Sequence, residues 1–293
     1  MKKLIFLMST ILVTLGCEST PTKSKSNNNE SNDQQSKNEV NKNNSNENFN
    51  SKFEFTAEEI KILESFKPNL KSKQYEKELN NYLKNYIRLG LNLDSTLEFS
   101  TQIFFEKLDS DSLTDAVVTL NLLNLAKNKA FKSKNPAKIA DVGFMGDYNY
   151  LLYFDGLSQK ITCEKVIDSS PLAKLKVQFE NITSNSYKDI LVDYRILNAS
   201  YRVYFSYSNK KFEKFFEWKN FDGLGNKENE AYYFEYDKGS LSERKDILVY
   251  LADLIQPTKG DFDKFTFIPK IKKTGKLSKR FFYHPKVGKY MTR

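Results

Sequence analysis

Three textures of hydrophobic and polar positions succeed one another along the chain. Leu4 to Leu15 is an apolar run broken only by Ser9, Thr10 and Thr14, behind Lys2 and Lys3. Residues 18–50 then hold almost nothing but Ser, Asn, Lys, Gln and Glu, with Val40 and Phe49 as the only large apolar side chains. Past residue 53 apolar positions return with a period. Thr56-Ala57-Glu58-Glu59 has the form of a capping box, and Ile60, Leu63 and Phe66 fall on one helical face before Pro68 stops the segment. Tyr75, Leu79, Tyr82, Leu83, Tyr86 and Ile87 form a stripe at helical spacing, which predicts a second helix over 71–89 closed by Gly90. The pair is expected to cover one face or edge of the remaining domain.

From about residue 98 the period shortens to that of strands. Val117–Leu120, Tyr150–Phe154, Leu175–Phe179, Ile190–Tyr194, Tyr201–Tyr207, Tyr232–Tyr236 and Ile247–Leu251 are short runs rich in β-branched and aromatic residues between polar turns. The expected fold class is mainly β (α+β): a helical pair and then antiparallel sheet. The expected organisation is a removable leader over 1–16, a polar tether over 17–52, a helical lead-in over 53–97 and a β domain over 98–293. The tether cannot bury enough apolar surface to offset the entropy of ordering it. The β domain is long enough for a sizeable core, which the 14% of aromatic residues would fill.

One segment recurs. Leu108-Asp109-Ser110-Asp111-Ser112-Leu113-Thr114-Asp115-Ala116-Val117-Val118 aligns without gaps to the segment from Ile182 to Val192, and Ser240 to Val249 is a weaker third copy. The shared element is a polar turn, an Asp (Asp115, Asp189, Asp246) and three apolar residues. It resembles the FG-GAP or VCBS repeat, in which a strand, D-x-(N/D)-G-D-G-x-x-D and a second strand form part of a propeller blade. The resemblance puts Lys107, Asp109, Asp111 and Asp115 at the four acidic places of the first copy. It puts Asn181, Thr183, Asn185 and Asp189 there in the second, and Lys238, Ser240, Ser242 and Asp246 in the third. Ser112 and Ser186 stand where the family has turn glycines. In the family these loops hold Ca²⁺, whose sites need most of their ligand charge from carboxylates. Only the first copy, with Asp109, Asp111 and Asp115, keeps three. The turns at Asn181, Asn185, Asp189 and Asp246 are therefore expected to be structural, with the last Asp capping its own turn. Three copies are too few for a closed ring. The expectation is an open sheet, a sandwich, or a truncated blade stack capped by the helices. An insertion, Asn121 to Asp147, comes after the first copy, and long insertions on a β scaffold often carry function.

The N-terminus changes the picture of where this domain sits. About twelve apolar-rich residues are too few to span a bilayer, so the leader reads as an export signal. Gly16-Cys17 after it resembles the lipobox of bacterial lipoproteins, although Thr14 stands three before the Cys where Leu is usual. The resemblance implies acylation of Cys17 and a lipid-anchored place in the cell envelope, either periplasmic or surface-facing. Cys163 is the only other cysteine and would have no partner. Loss of the leader lowers the net charge from +9 to 46 − 2 − 37 = +7. Much of that excess lies at Lys270, Lys272, Lys273, Lys276, Lys279, Arg280, Lys286, Lys289 and Arg293, a basic end suited to a solvated surface, or to acidic lipid headgroups, nucleic acid or anionic polysaccharide.

Candidate chemistry is sparse. His284 is the sole histidine, which excludes HExxH sites and multi-His metal centres, and no G-x-S-x-G elbow or phosphate loop is present. The expectation is a non-enzymatic module binding a protein or glycan, without specific nucleic-acid binding and without a cofactor other than a Ca²⁺ at the first loop. The alternative is a polysaccharide hydrolase using paired carboxylates, with Trp218, Tyr232 and Tyr233 as sugar platforms.

Overall fold

The capping box at Thr56 starts the folded body. In the computed structural model, which describes residues 52–69, 71–111, 113–257 and 262–292, the Thr56 N–H donates to Glu59 at 2.7 Å. The Glu59 N–H returns a bond to the Thr56 hydroxyl at 3.2 Å, satisfying two orphan donors at the start of α1 (Ala57–Ser65). The second helix, α2 (Tyr75–Gly90), begins four residues later than its pattern suggests. It buries the expected stripe of Leu79, Tyr82, Leu83, Tyr86 and Ile87. Gly90 is required by close approach: a Cβ there would lie 2.6 Å from the ring of Phe53. The leader, Cys17 and the tether up to residue 51 lie outside the described residues, as does Ser112.

The stripe of α2 packs on a four-stranded antiparallel sheet ordered β1 (Ser100–Glu106), β2 (Asp115–Asn121), β3 (Asn149–Asp155), β4 (Lys160–Val166). Ala116, Val118, Leu120, Tyr150, Leu152 and Phe154 face the helices. The intervening positions Val117, Leu151 and Tyr153 face the other way, into a second sheet. That double burial explains why β2 and β3 read as continuous apolar runs rather than alternating ones. The insertion between them forms α3 (Leu123–Phe131) and α4 (Pro136–Asp141).

The second sheet has eight antiparallel strands, β5 (Lys176–Glu180), β6 (Asp189–Ile196), β7 (Ala199–Ser208), β8 (Lys211–Asp222), β9 (Glu230–Asp237), β10 (Asp246–Ile255), β11 (Lys270–His284) and β12 (Lys289–Thr292). Its strands keep chain order, and β8 and β9 pair only at Phe221–Ala231 and Asp222–Glu230. The sheet folds over at that narrow join. Leu191, Tyr204 and Phe216 of the first half thus pack against Ile247, Val249 and Phe281 of the second. The result is a helical layer and then three four-stranded meanders, β1–β4, β5–β8 and β9–β12. Neither sheet closes: β1 and β4 are edges of the first, β5 and β12 of the second.

The recurring segment occupies the same place in each meander. The turns 107–114, 181–188 and 238–245 are each eight residues long and join the first strand to the second, so Asp115, Asp189 and Asp246 open β2, β6 and β10. Each faces an acidic residue in register, Glu106, Glu180 and Asp237. Adjacent meanders are tied turn to turn: the Lys188 N–H donates to the Lys107 carbonyl at 3.2 Å, and the Lys245 N–H to the Ile182 carbonyl at 2.8 Å. The second turn residue is a peg into the next layer. Leu108 is buried among Ile190, Val192 and Phe205, and Ile182 among Ile247, Val249 and Phe281. The third turn has Gly239 there, and among the described residues no layer lies beyond it.

Candidate functional site

The first strands of the three meanders converge on one cleft of about 690 Å³. Gln102 comes from β1, Lys176 and Gln178 from β5, and Tyr232, Tyr233 and Phe234 from β9. Asp193, Tyr194 and Arg195 of β6 and Arg202 of β7 form its floor, and residues 265–273 close one side. The volume lies within the range of small-molecule sites, and the wall alternates aromatic rings with polar groups.

Electrostatics set its character. Arg202 forks onto Asp193, with Nε and Nη2 donating at 2.6 and 2.9 Å, and lies 5.3 Å from the centre of the Phe234 ring. That pair neutralises itself. Arg195 is 8% exposed and differs: Nη1 donates to the Phe267 carbonyl at 3.4 Å, Nη2 donates to the Lys264 carbonyl, and the guanidinium sits 4.7 Å over Phe221. Its Nε has no partner. Burial pulls its pKa down to about 10, which leaves it cationic at neutral pH. Tyr194 and Tyr232 donate their hydroxyls to Glu217 and Glu230, whose charges are met by Lys214 and Lys219. Burial first, then Glu230, pushes the Tyr232 hydroxyl up to about 12.

No protein-family model, no curated protein and no solved structure matches this chain.

The expected cation loop is organised for another task. Asp109 accepts from the Asp111 N–H at 2.9 Å, and Asp111 accepts from the Leu113 N–H at 2.7 Å. Asp115 takes the N–H groups of Leu108 and Gly156 at 3.3 and 3.1 Å. Among the described residues no group of three acidic, His or Cys side chains is placed to hold a metal ion. In the second turn Asp189 accepts from the N–H groups of Ile182 and Thr183 and from the Thr183 hydroxyl, while the Asn181 amide donates to the Tyr187 carbonyl. Asp246 accepts from the Ser240 N–H and from Arg280 Nε, at 3.1 and 2.8 Å. Asn185 sits at the tip of the second turn, between Ser184 and Ser186, where the Ser186 N–H donates to the Ser184 hydroxyl.

Of the three aromatic platforms, Tyr232 and Tyr233 line the cleft, and Trp218 is half-buried behind Tyr232 with ring centres 6.1 Å apart. Cys163 packs against the core shared by the first two meanders, and burial raises its thiol to about 11. The basic end becomes a strand edge. Residues 270–280 of β11 pair only with β10, because β12 reaches only Phe281–His284. A bulge at 274–276, where Gly275 has φ 76°, and Lys270, Lys272 and Lys276 make that edge a poor template for another chain. The cleft was not visible in the sequence. Its residues are drawn from all three meanders, and beyond Tyr232 and Tyr233 its one signal was the cationic Arg195 near the end of β6.

Proposed function

We propose that this chain is a non-enzymatic binding module, anchored in the bacterial cell envelope by lipid on Cys17, whose ligand is a glycan seated in the cleft. The observation that carries the reading is the cleft itself: an aromatic and polar wall of ligand-sized volume with Asp193 as its one lining carboxylate, already forked by Arg202. Two-carboxylate hydrolysis needs a second acid within about 5–9.5 Å and room for water or sugar between them. The lining therefore favours binding over the hydrolase alternative. The three meanders are read as degenerate FG-GAP-like blades in an open stack. Support for this comes from turns of one length, an Asp at the same strand position and the shared bond from the first turn N–H to the preceding carboxylate, at 3.0, 3.2 and 2.8 Å.

Trp218, the only tryptophan, reports on Tyr232 and so on occupancy of the cleft. Titrating the purified full-length chain with oligosaccharides is expected to change its fluorescence without releasing new reducing ends. Tyr233→Ala is expected to weaken binding by about fivefold, the loss of one ring contact of about 1 kcal/mol. Release of reducing ends would instead revive hydrolysis. The anchor is tested separately. Cys17→Ser is expected to abolish incorporation of labelled palmitate and to move the protein out of the membrane fraction. An unchanged membrane fraction would remove the lipoprotein reading.

A further inference from the structure

The cleft carries more positive charge than its own side chains neutralise. Lys174, Lys176, Arg195, Arg202 and Lys273 line it, against the single carboxylate of Asp193. Subtracting the Arg202–Asp193 pair leaves four cations, of which Lys273 also meets Glu235 outside the lining. Arg195 is the most telling of these. The acid that acts on it, Asp263, spends one oxygen on the Phe265 N–H at 2.9 Å and the other on the Thr266 hydroxyl at 2.8 Å. The guanidinium is thus held by two neutral carbonyls and a ring, with Nε bare and no carboxylate bound among the described residues. Asp263 acts on it only through space, and a buried guanidinium with no bonded carboxylate among the described residues is placed to take one from a ligand. Lys174 and Lys176 stand exposed at the β5 side and make no ion pair among the described residues. Across the cleft Lys273 lies 4.7 Å over the ring of Tyr233 and 3.7 Å from Glu235.

Resting on the glycan reading above, we propose that the ligand is an acidic oligosaccharide. Its carboxylate or phosphate groups meet Arg195, Lys176 and Lys273, and its sugar rings lie along the aromatic wall. The rings supply area that any sugar can use. The cations supply the discrimination, since a neutral sugar offers them no opposite charge. The two lysines come from different strands, β5 and β11, and both line the cleft that the ligand would fill.

The test uses the full-length chain, Trp218 fluorescence and calorimetry, with three probes: hexagalacturonate, maltohexaose and inorganic phosphate. Hexagalacturonate is expected to bind at least about thirtyfold more tightly than maltohexaose at low salt, and to lose most of that advantage in about 0.5 M salt, as screened charges do. The double variant Lys176→Gln/Lys273→Gln, both at solvent-facing sites, is expected to cut hexagalacturonate affinity about tenfold or more, several times the change seen with maltohexaose. Equal binding of the two oligosaccharides would overturn the charge inference while leaving the cleft reading standing. Phosphate alone binding as tightly as hexagalacturonate would show a simple anion site and overturn the acidic-sugar assignment. No response to either oligosaccharide would sink both readings.

Discussion

Asp189→Ala is expected to destabilise the protein by about 3–4 kcal/mol. The carboxylate is fully buried and serves three donors, the N–H groups of Ile182 and Thr183 at 2.9 and 2.6 Å and the Thr183 hydroxyl at 2.6 Å. Leaving a buried donor unpaired costs about 1–3 kcal/mol each, and partial access of water to the turn lowers the sum. Asp189→Asn separates the geometry from the charge. One oxygen can still take both N–H groups, and the amide can donate to the Thr183 hydroxyl, so a loss of only about 1 kcal/mol is expected. At Asp115 the two oxygens serve different N–H groups, Leu108 and Gly156, so Asn must turn a donor against a donor. Asp115→Asn is therefore expected to cost more than Asp189→Asn. Urea unfolding of the three variants checks this order, and an Ala variant within about 0.5 kcal/mol of the parent would refute the capping role.

The same carboxylates give a pH signature. Burial, the largest influence on each, raises the pKa of Asp115 and Asp189 above the ordinary carboxylate value. A folded state that holds a proton longer than the unfolded chain is most favoured on the acid side. Stability from these groups falls as pH climbs from the unfolded value through the folded one, and is level above it. The advantage of the parent over Asp189→Asn should accordingly shrink across that window.

Ile182→Ala is the second large effect, expected at about 3–4 kcal/mol, within the usual range for a large aliphatic removed from a close-packed site. Ile182 is 1% exposed among Leu191, Phe216, Ile247, Val249 and Phe281. Because the join of β8 to β9 is only two residue pairs wide, this peg is a main connection between the second and third meanders. Hydrogen exchange should show the loss concentrated in β9–β12, with the helices and β1–β4 protected as before. Ile182→Val, which keeps the branched shape, is expected to cost about 1 kcal/mol. Uniform loss of protection through all layers would mean that the layers do not fail separately.

Burial decided what could be read from the chain. The capping box, the stripe of α2 and the seven apolar strands announce themselves because each puts side chains into a core. The order of meanders was implied by the recurring turn. By contrast β11 reads Lys-Ile-Lys-Lys-Thr-Gly-Lys-Leu-Ser-Lys-Arg over residues 270–280, all exposed, so no apolar pattern marked it as a strand. β8 was obscured in the same way by the charged residues scattered through its twelve positions. The α3–α4 insertion hides because its helices bury little beyond Ala126 and Ala130, and Phe131 is 84% exposed. The cleft escaped for a different reason. It is made by the fold-over at Phe221–Ala231, which brings strands separated by more than a hundred residues to one place, and no local pattern encodes such a meeting.

Gly239 fixes how many layers there are. Leu108 and Ile182 reach forward into a neighbour, but the backbone at 239 leaves no space for any side chain, a Cβ there falling 2.1 Å from the Arg244 carbonyl oxygen. A copy of the unit appended by gene duplication would find no counterpart to grip, and two molecules meeting end on would find none either.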